Sequence, residues 1–190
     1  MKTYKTLAAL ACCALLAAGC TTTGNMTSAQ SEQSERVSID AGVNAALTRL
    51  DTEVPGAREL VRNARGVLVF PGVVSAGFVV GGAYGKGALR ENGRTAGYYS
   101  TTAASVGWLA GAESKAVFVL FMTKESLDKF VASRGWTAGV DASVTLLKIG
   151  ADGNVTTQTV QQPIVGFILT NGGLMADVSV EGAKISKIAL

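Results

Sequence analysis

"SAGFVVGGAYGKGALRENGRTAGYYST", residues 75–101, places four glycines among the seven residues from Gly81 to Gly87 and then an Asn-Gly pair at Asn92-Gly93. Asn-Gly between two β-rich runs is the strongest short signal for a two-residue hairpin. Glycine inside a strand weakens it unless the strand must bend sharply or admit another backbone closely. Gly81, Gly82, Gly85 and Gly87 therefore predict a strongly coiled sheet, and valine at Gly82 or Gly85 is expected to destabilise it. A phosphate-loop reading of the same stretch fails. Val80 stands where the first glycine of the motif belongs, Gly87 stands where the hydroxyl residue belongs, and no helix follows.

Working outward, the chain stays β-rich and is punctuated by glycine. "GVLVF" (66–70) and "KAVFVLFM" (115–122) are apolar runs of strand length. "WTAGVDASVTLLKIG" and "VTTQTVQQPIVGFILT" flank a turn at Asp152-Gly153, and "GLMADVSVEGAKISKI" follows a turn at Asn171-Gly172-Gly173. One helix interrupts this pattern near 123–134. Thr123 is its cap, Leu127, Phe130 and Val131 are its buried face, and Gly135 is its stop.

Ahead of the sheet the pattern is helical from Arg36. Val43, Leu47, Leu50 and Val54 recur at helical spacing, and Pro55-Gly56 ends the run. A second short helix is expected from Ala57 to Ala64, with Arg58, Arg62 and Arg65 lined up at i, i+4 and i+7. Such a stripe reads either as a basic amphipathic segment facing a membrane or as a solvated helix face. Tyr84, Lys86 and Arg90 share one face of an extended strand, which suits a lipid headgroup zone; core tyrosines and solvated lysines give the same letters. The fold class is thus α+β, with amino-terminal helices on a strongly coiled antiparallel sheet or partial barrel.

The first 19 residues have a charged start, an apolar middle from Leu7 to Gly19 and a small-residue exit, the layout of a secretory signal. The apolar part is shorter than the roughly 20 residues a bilayer span requires. Ala17-Ala18-Gly19 leads directly into Cys20, which resembles the bacterial lipobox, with Ala17 where that pattern prefers leucine. The resemblance implies diacylglyceryl transfer to the Cys20 thiol, cleavage after Gly19 and acylation (palmitate) of the new amine. The other reading is a plain secretory signal with an incidental thiol at Cys20. The division expected is a signal over 1–19, a lipidated cysteine with a flexible polar tether over 20–35, and one domain over 36–190. Thr21 is not the aspartate that favours inner-membrane retention, so the outer membrane, facing the periplasm or displayed at the cell surface, is the expected location.

Processing removes Cys12 and Cys13 and leaves Cys20 as the one cysteine, so no disulfide framework is expected. Loss of Lys2 and Lys5 from the 17 basic residues leaves 15 against 14 acidic ones, and the formal charge of +3 becomes +1. A charge so near zero gives no global field for nucleic acid. The chain has no histidine, which removes Ser-His-Asp hydrolysis, Cys-His nucleophiles and His-ligated zinc together. The carboxylates Glu113, Asp141, Asp152, Asp177 and Glu181 are scattered, without a short-spaced pair or an EF-hand loop. Neither a catalytic residue, nor a metal site, nor a cofactor is expected; the chain reads as a non-enzyme.

The order of "ARGVLVFP", "SAGFVVGGAYGKGALR", "GYYS", "SVGWLAGAESKAVFVLFMTKESLDKF", "GVDASV" and "NGGLMADVSVEGAKI" resembles the SYLF domain, from about Arg36 to the end of the chain. That family occurs in bacterial lipoproteins and in eukaryotic proteins at actin patches and endosomes. One departure is Trp108, where glutamine follows the glycine in many members. The resemblance implies a binding module without catalysis, which in eukaryotic members binds phosphoinositides partly through an amphipathic segment before the sheet. Here that segment corresponds to the helices between Val37 and Arg65. The actin role does not transfer to an exported lipoprotein; an anionic phospholipid membrane is the expected partner, through Arg58, Arg62 and Arg65 with Lys86 and Arg90 as helpers. The alternative is a structural or envelope-assembly lipoprotein that binds a protein partner through a sheet edge or face.

Overall fold

The computed structural model describes residues 27–77, 80–106, 111–146, 162–170, 173–174 and 182–190. The signal segment, Cys20, most of the expected tether, Phe78, Trp108, Asp177, Glu181 and the turns at Asp152-Gly153 and Asn171-Gly172 lie outside them. The chain divides into two compact units, Met1–Ser31 and Glu32–Leu190. In the first, the described residues are a helix start. Thr27 donates its backbone N–H and its hydroxyl to Gln30 Oε1 at 3.0 and 3.1 Å, an arrangement close to a capping box. Helix α1 spans Ser28–Glu53, so the helix begins eight residues earlier than the apolar pattern indicates. Capping by Thr27 and Gln30 starts it where no apolar stripe exists to show it.

In the second unit α1 buries Ile39, Val43, Ala46 and Leu50, a 4-3-4 spacing that is one helical face. Pro55-Gly56 then turns the chain: Gly56 sits at φ 82°, a left-handed conformation that costs glycine nothing, and it opens helix α2, Ala57–Asn63. The sheet follows, with β1 Gly66–Gly77, β2 Val80–Glu91, β3 Arg94–Val106 and β4 Gly111–Phe121. Asn92 and Gly93 both have positive φ, 51° and 77°, as a type I′ hairpin demands. Helix α3, Lys124–Ala132, is capped by Thr123, whose hydroxyl accepts from Ser126 N–H at 3.2 Å. Then come β5 Trp136–Thr137, β6 Thr145–Leu146, β7 Ile164–Thr170, β8 Gly173–Leu174 and β9 Lys184–Ile188.

The strands form one sheet in the order β5-β9-β3-β2-β1-β4-β7-β6, with β8 on β7. Pairings between the described strands are antiparallel except β6 with β7, so the sheet is mixed and not purely antiparallel. It curls into a half-barrel. Ile185 on β9 and Ile168 on β7 stand near opposite ends of the strand order yet line the same cavity, which identifies their face as the inner one.

Both faces are covered, which is why β1, β4 and β7 read as unbroken apolar runs instead of alternating ones. On the outer face Val67, Val69, Ala88, Phe118, Leu120 and Phe167 pack beneath α1 and α2. On the inner face Leu68, Phe70, Leu89, Phe121 and Ile168 pack with α3 and the strands of the far edge. Phe130 of α3 is the hub of the inner side, with ring centroids 5.0 Å from Tyr99, 4.8 Å from Phe121 and 5.7 Å from Trp136. Leu127 and Phe130 are buried as expected, but Val131 is exposed, because so short a helix offers the sheet only one narrow face.

The glycines of β2 divide. A Cβ on Gly87 would meet the Val69 carbonyl oxygen at 2.0 Å and one on Gly85 would meet Val73 at 2.9 Å, beside the break in β1–β2 register between Val69 and Val74. These two admit the bulged strand β1. Gly82 has nothing nearer than 3.9 Å, so close approach does not account for it.

Candidate functional site

Five basic side chains stand out from the sequence, and the structure separates them into spent and presented cations. Lys86 and Arg90 project from the outer face of β2 toward α1, the face that carries Ala88 into the core. Lys86 forms an ion pair with Glu35, which holds its ammonium above the usual lysine range. Arg90 is deeply set. Its guanidinium reaches Asp40 Oδ1 at 3.2 Å and donates to Asn44 Oδ1 at 3.0 Å and to the Thr95 hydroxyl. Asp40 also accepts from the Thr95 hydroxyl at 2.8 Å and from the Tyr98 hydroxyl at 2.9 Å. Burial, and then the hydrogen bond to Asp40, push the Tyr98 phenol above its ordinary value. This network fixes α1 on the β2–β3 hairpin. Sequence reasoning missed Glu35 and Asp40 as partners; their spacing on α1 is the one local signal, since the strand they pair with lies about fifty residues on.

The three arginines do not form a single helical stripe. Arg58 and Arg62 sit one turn apart on α2, but the helix ends at Asn63 and Ala64 is extended (φ −66°, ψ 142°). Arg65 instead stands just before β1, where its backbone N–H donates to the Phe121 carbonyl at 2.7 Å. Arg58, largely exposed, pairs with Asp51 at 3.0 Å. Arg62 and Arg65 are exposed and, among the described residues, have no ion pair.

Arg62 borders two hollows. With Arg58, Glu59 and Asn63 it lines a shallow one at the start of α2. It also lines a groove of about 380 Å³ between α1, α2 and the β2–β3 turn, with Asn44, Leu47, Val61, Arg90, Asn92 and Gly93. Arg62 and Arg90 are thus brought to one groove with a half-apolar floor, while Lys86 stands outside its lining. Arg94, exposed at the same turn, was not singled out by the sequence. An open cation beside amide groups and aliphatic side chains can hold a phosphate ester while contacting its glycerol or acyl stem.

Among the aromatic residues, Tyr99 and Trp136 are core and Tyr84 is half exposed. Asp141 accepts from the Thr137 backbone N–H at 2.6 Å and so closes a turn. Among the described residues there is no group of three or more acidic, cysteine or histidine side chains able to hold a metal, and no helix long and apolar enough to cross a membrane. No curated protein matches the chain. Residues 102–188, from the second half of β3 through β9, match the Ysc84 (SYLF) family, described as a Las17-binding protein actin regulator.

Proposed function

We propose that the protein is a non-catalytic lipoprotein, anchored through Cys20 to the bacterial outer membrane, whose domain binds anionic phospholipid headgroups at the arginine edge. The observation that carries the reading is Arg62. It is an exposed cation without an acid partner among the described residues, at the rim of a groove floored by Leu47, Val61 and Ala64. The family match supports a binding module but stops short of this groove, whose residues all precede 102. The family description names a protein ligand, Las17, and so favours a second reading in which an envelope protein is the partner.

The test is co-sedimentation of the full chain carrying Cys20→Ser with phosphatidylglycerol vesicles. A basic residue near an anionic surface contributes about 1 kcal/mol, so Arg62→Gln with Arg65→Gln is expected to weaken binding by about 30-fold. Adding Arg58→Gln brings less, because Asp51 already neutralises it. The difference shrinks with salt as the Debye length falls from about 10 Å at 0.1 M to about 3 Å at 1 M. Failure of the parent to sediment, or equal sedimentation of both proteins at low salt, gives the protein-partner reading its place.

A further inference from the structure

The inner face of the half-barrel holds an apolar cavity of about 60 Å³ that the arginine edge does not reach. Its walls include Phe70, Val117, Ile168, Trp136 and Ile185, drawn from strands at both ends of the sheet order. Room exists because several positions carry small side chains. Ala83 and Ala103 face each other across β2 and β3, and Ala138 and Ala183 complete the lining.

The exception among the walls is Lys115. On β4 it occupies the inner-face row with Val117, Val119 and Phe121, all of them buried. An inward-pointing lysine often protects an edge strand from wrong pairing. At Lys115 β4 pairs with Val73 of β1, while its described pairing with β7 runs from Ala116 to Phe121 and stops one residue short. Lys115 is half-buried and, among the described residues, has no carboxylate within ion-pair distance. The Thr101 hydroxyl residue, buried on β3, lines the same cavity and is its other polar component among the described residues. A mostly apolar hollow inside a curled sheet, with a few fixed polar groups, has the kind of lining that small-ligand sites use.

We propose that this cavity binds an aliphatic monocarboxylate, with the carboxylate on Lys115 Nζ and the first methylenes among the alanines. At about 60 Å³ the cavity takes only the carboxylate end of the ligand and leaves a longer tail outside it. A neutral amphiphile leaves the ammonium without a counter-charge, and among the described residues the lining holds no second cation, which sets the preference at one negative charge. The site is independent of the headgroup groove, which lies on the outer face.

Trp136 lines the cavity and reports on it once Trp108→Phe removes the chain's other tryptophan. The full chain carrying Cys20→Ser and Trp108→Phe is titrated with butyrate, octanoate and dodecanoate below their micelle concentrations, and with 1-octanol. Saturable fluorescence change with octanoate, and weakening of 10- to 100-fold in Lys115→Met with no change for octanol, is the expected result. Tighter binding of dodecanoate than butyrate assigns the ligand to fatty acids; equal binding assigns it to short free acids. Ala103→Leu fills the cavity and removes both responses, with folding checked by thermal melting. Octanol binding as tightly as octanoate in the parent, an unchanged Lys115→Met, or no saturable response overturns the proposal.

Discussion

Gly87→Ala tests how the sheet is built. An added Cβ at this site would lie 2.0 Å from the Val69 carbonyl oxygen, 2.7 Å from Phe70 Cδ1 and 2.8 Å from the Val69 carbonyl carbon. The first of these is a full ångström inside the 3.0 Å that real Cβ contacts respect, and the obstacle is backbone. β1 cannot yield cheaply, since Val69 and Phe70 are completely buried, one in the outer core and the other in the inner. Overpacking that shifts backbone costs about 1–3 kcal/mol and sometimes more, and this site belongs at the upper end. At about 2–4 °C per kcal/mol for a domain of this size, the melting midpoint is expected to fall by roughly 6–12 °C. Gly82→Ala is the control: its nearest neighbour is 3.9 Å away, the residue is exposed, and its φ is not in the left-handed region. There alanine is expected to be neutral or to stabilise by about 0.4–1 kcal/mol through the unfolded chain. Circular dichroism melts of the two variants beside the parent decide it. Equal midpoints for Gly87→Ala and the parent refute the close-approach argument.

Alkaline stability is set by Tyr98, Tyr99 and Lys86, whose folded-state values are all raised above their ordinary 10.0, 10.0 and 10.5. Their stabilisation is fully present below about pH 10 and is lost as pH rises through the folded values, so denaturation midpoints measured from pH 8 to 11 should decline more steeply in the parent than in Tyr98→Phe. Cys20→Ser is expected to abolish metabolic lipid labelling and to release a soluble or unprocessed chain; unchanged membrane fractionation refutes the anchor.

The architecture was legible where burial is two-sided or a turn has one solution. Asn92-Gly93 announces its hairpin through positive φ, and Thr123 announces α3 through its hydroxyl. The glycines of β2 announced close approach without saying which ones serve it, because that depends on where β1 bulges, and the bulge at Phe70–Val73 has no local signature beyond Pro71-Gly72. The site was less legible. Lys86 and Arg90 look identical to free surface cations in the sequence, and only the folding of α1 across β2 brings Glu35 and Asp40 to them. Lys115 escaped notice for the opposite reason: a lysine before an apolar run reads as a strand's solvated start until the register places it on the inner face.

The manner of any membrane contact follows from α2. A helix that inserts into a bilayer surface needs its apolar face free, but Ala57 and Leu60 are buried under α1 and against the sheet, at 0% and 4% exposure. Exposing them would open the outer core that the Asp40–Arg90–Tyr98 network holds shut. Insertion of α2 therefore costs unfolding, and the proposed contact reduces to electrostatics at an edge, with Arg58 and Arg62 on one helical turn and Arg65 at the rim of β1. Contacts of that kind, unlike buried apolar area, weaken steeply with salt. Vesicle binding that persists unchanged at 1 M salt would require the outer core to open or would place the interaction elsewhere on the molecule.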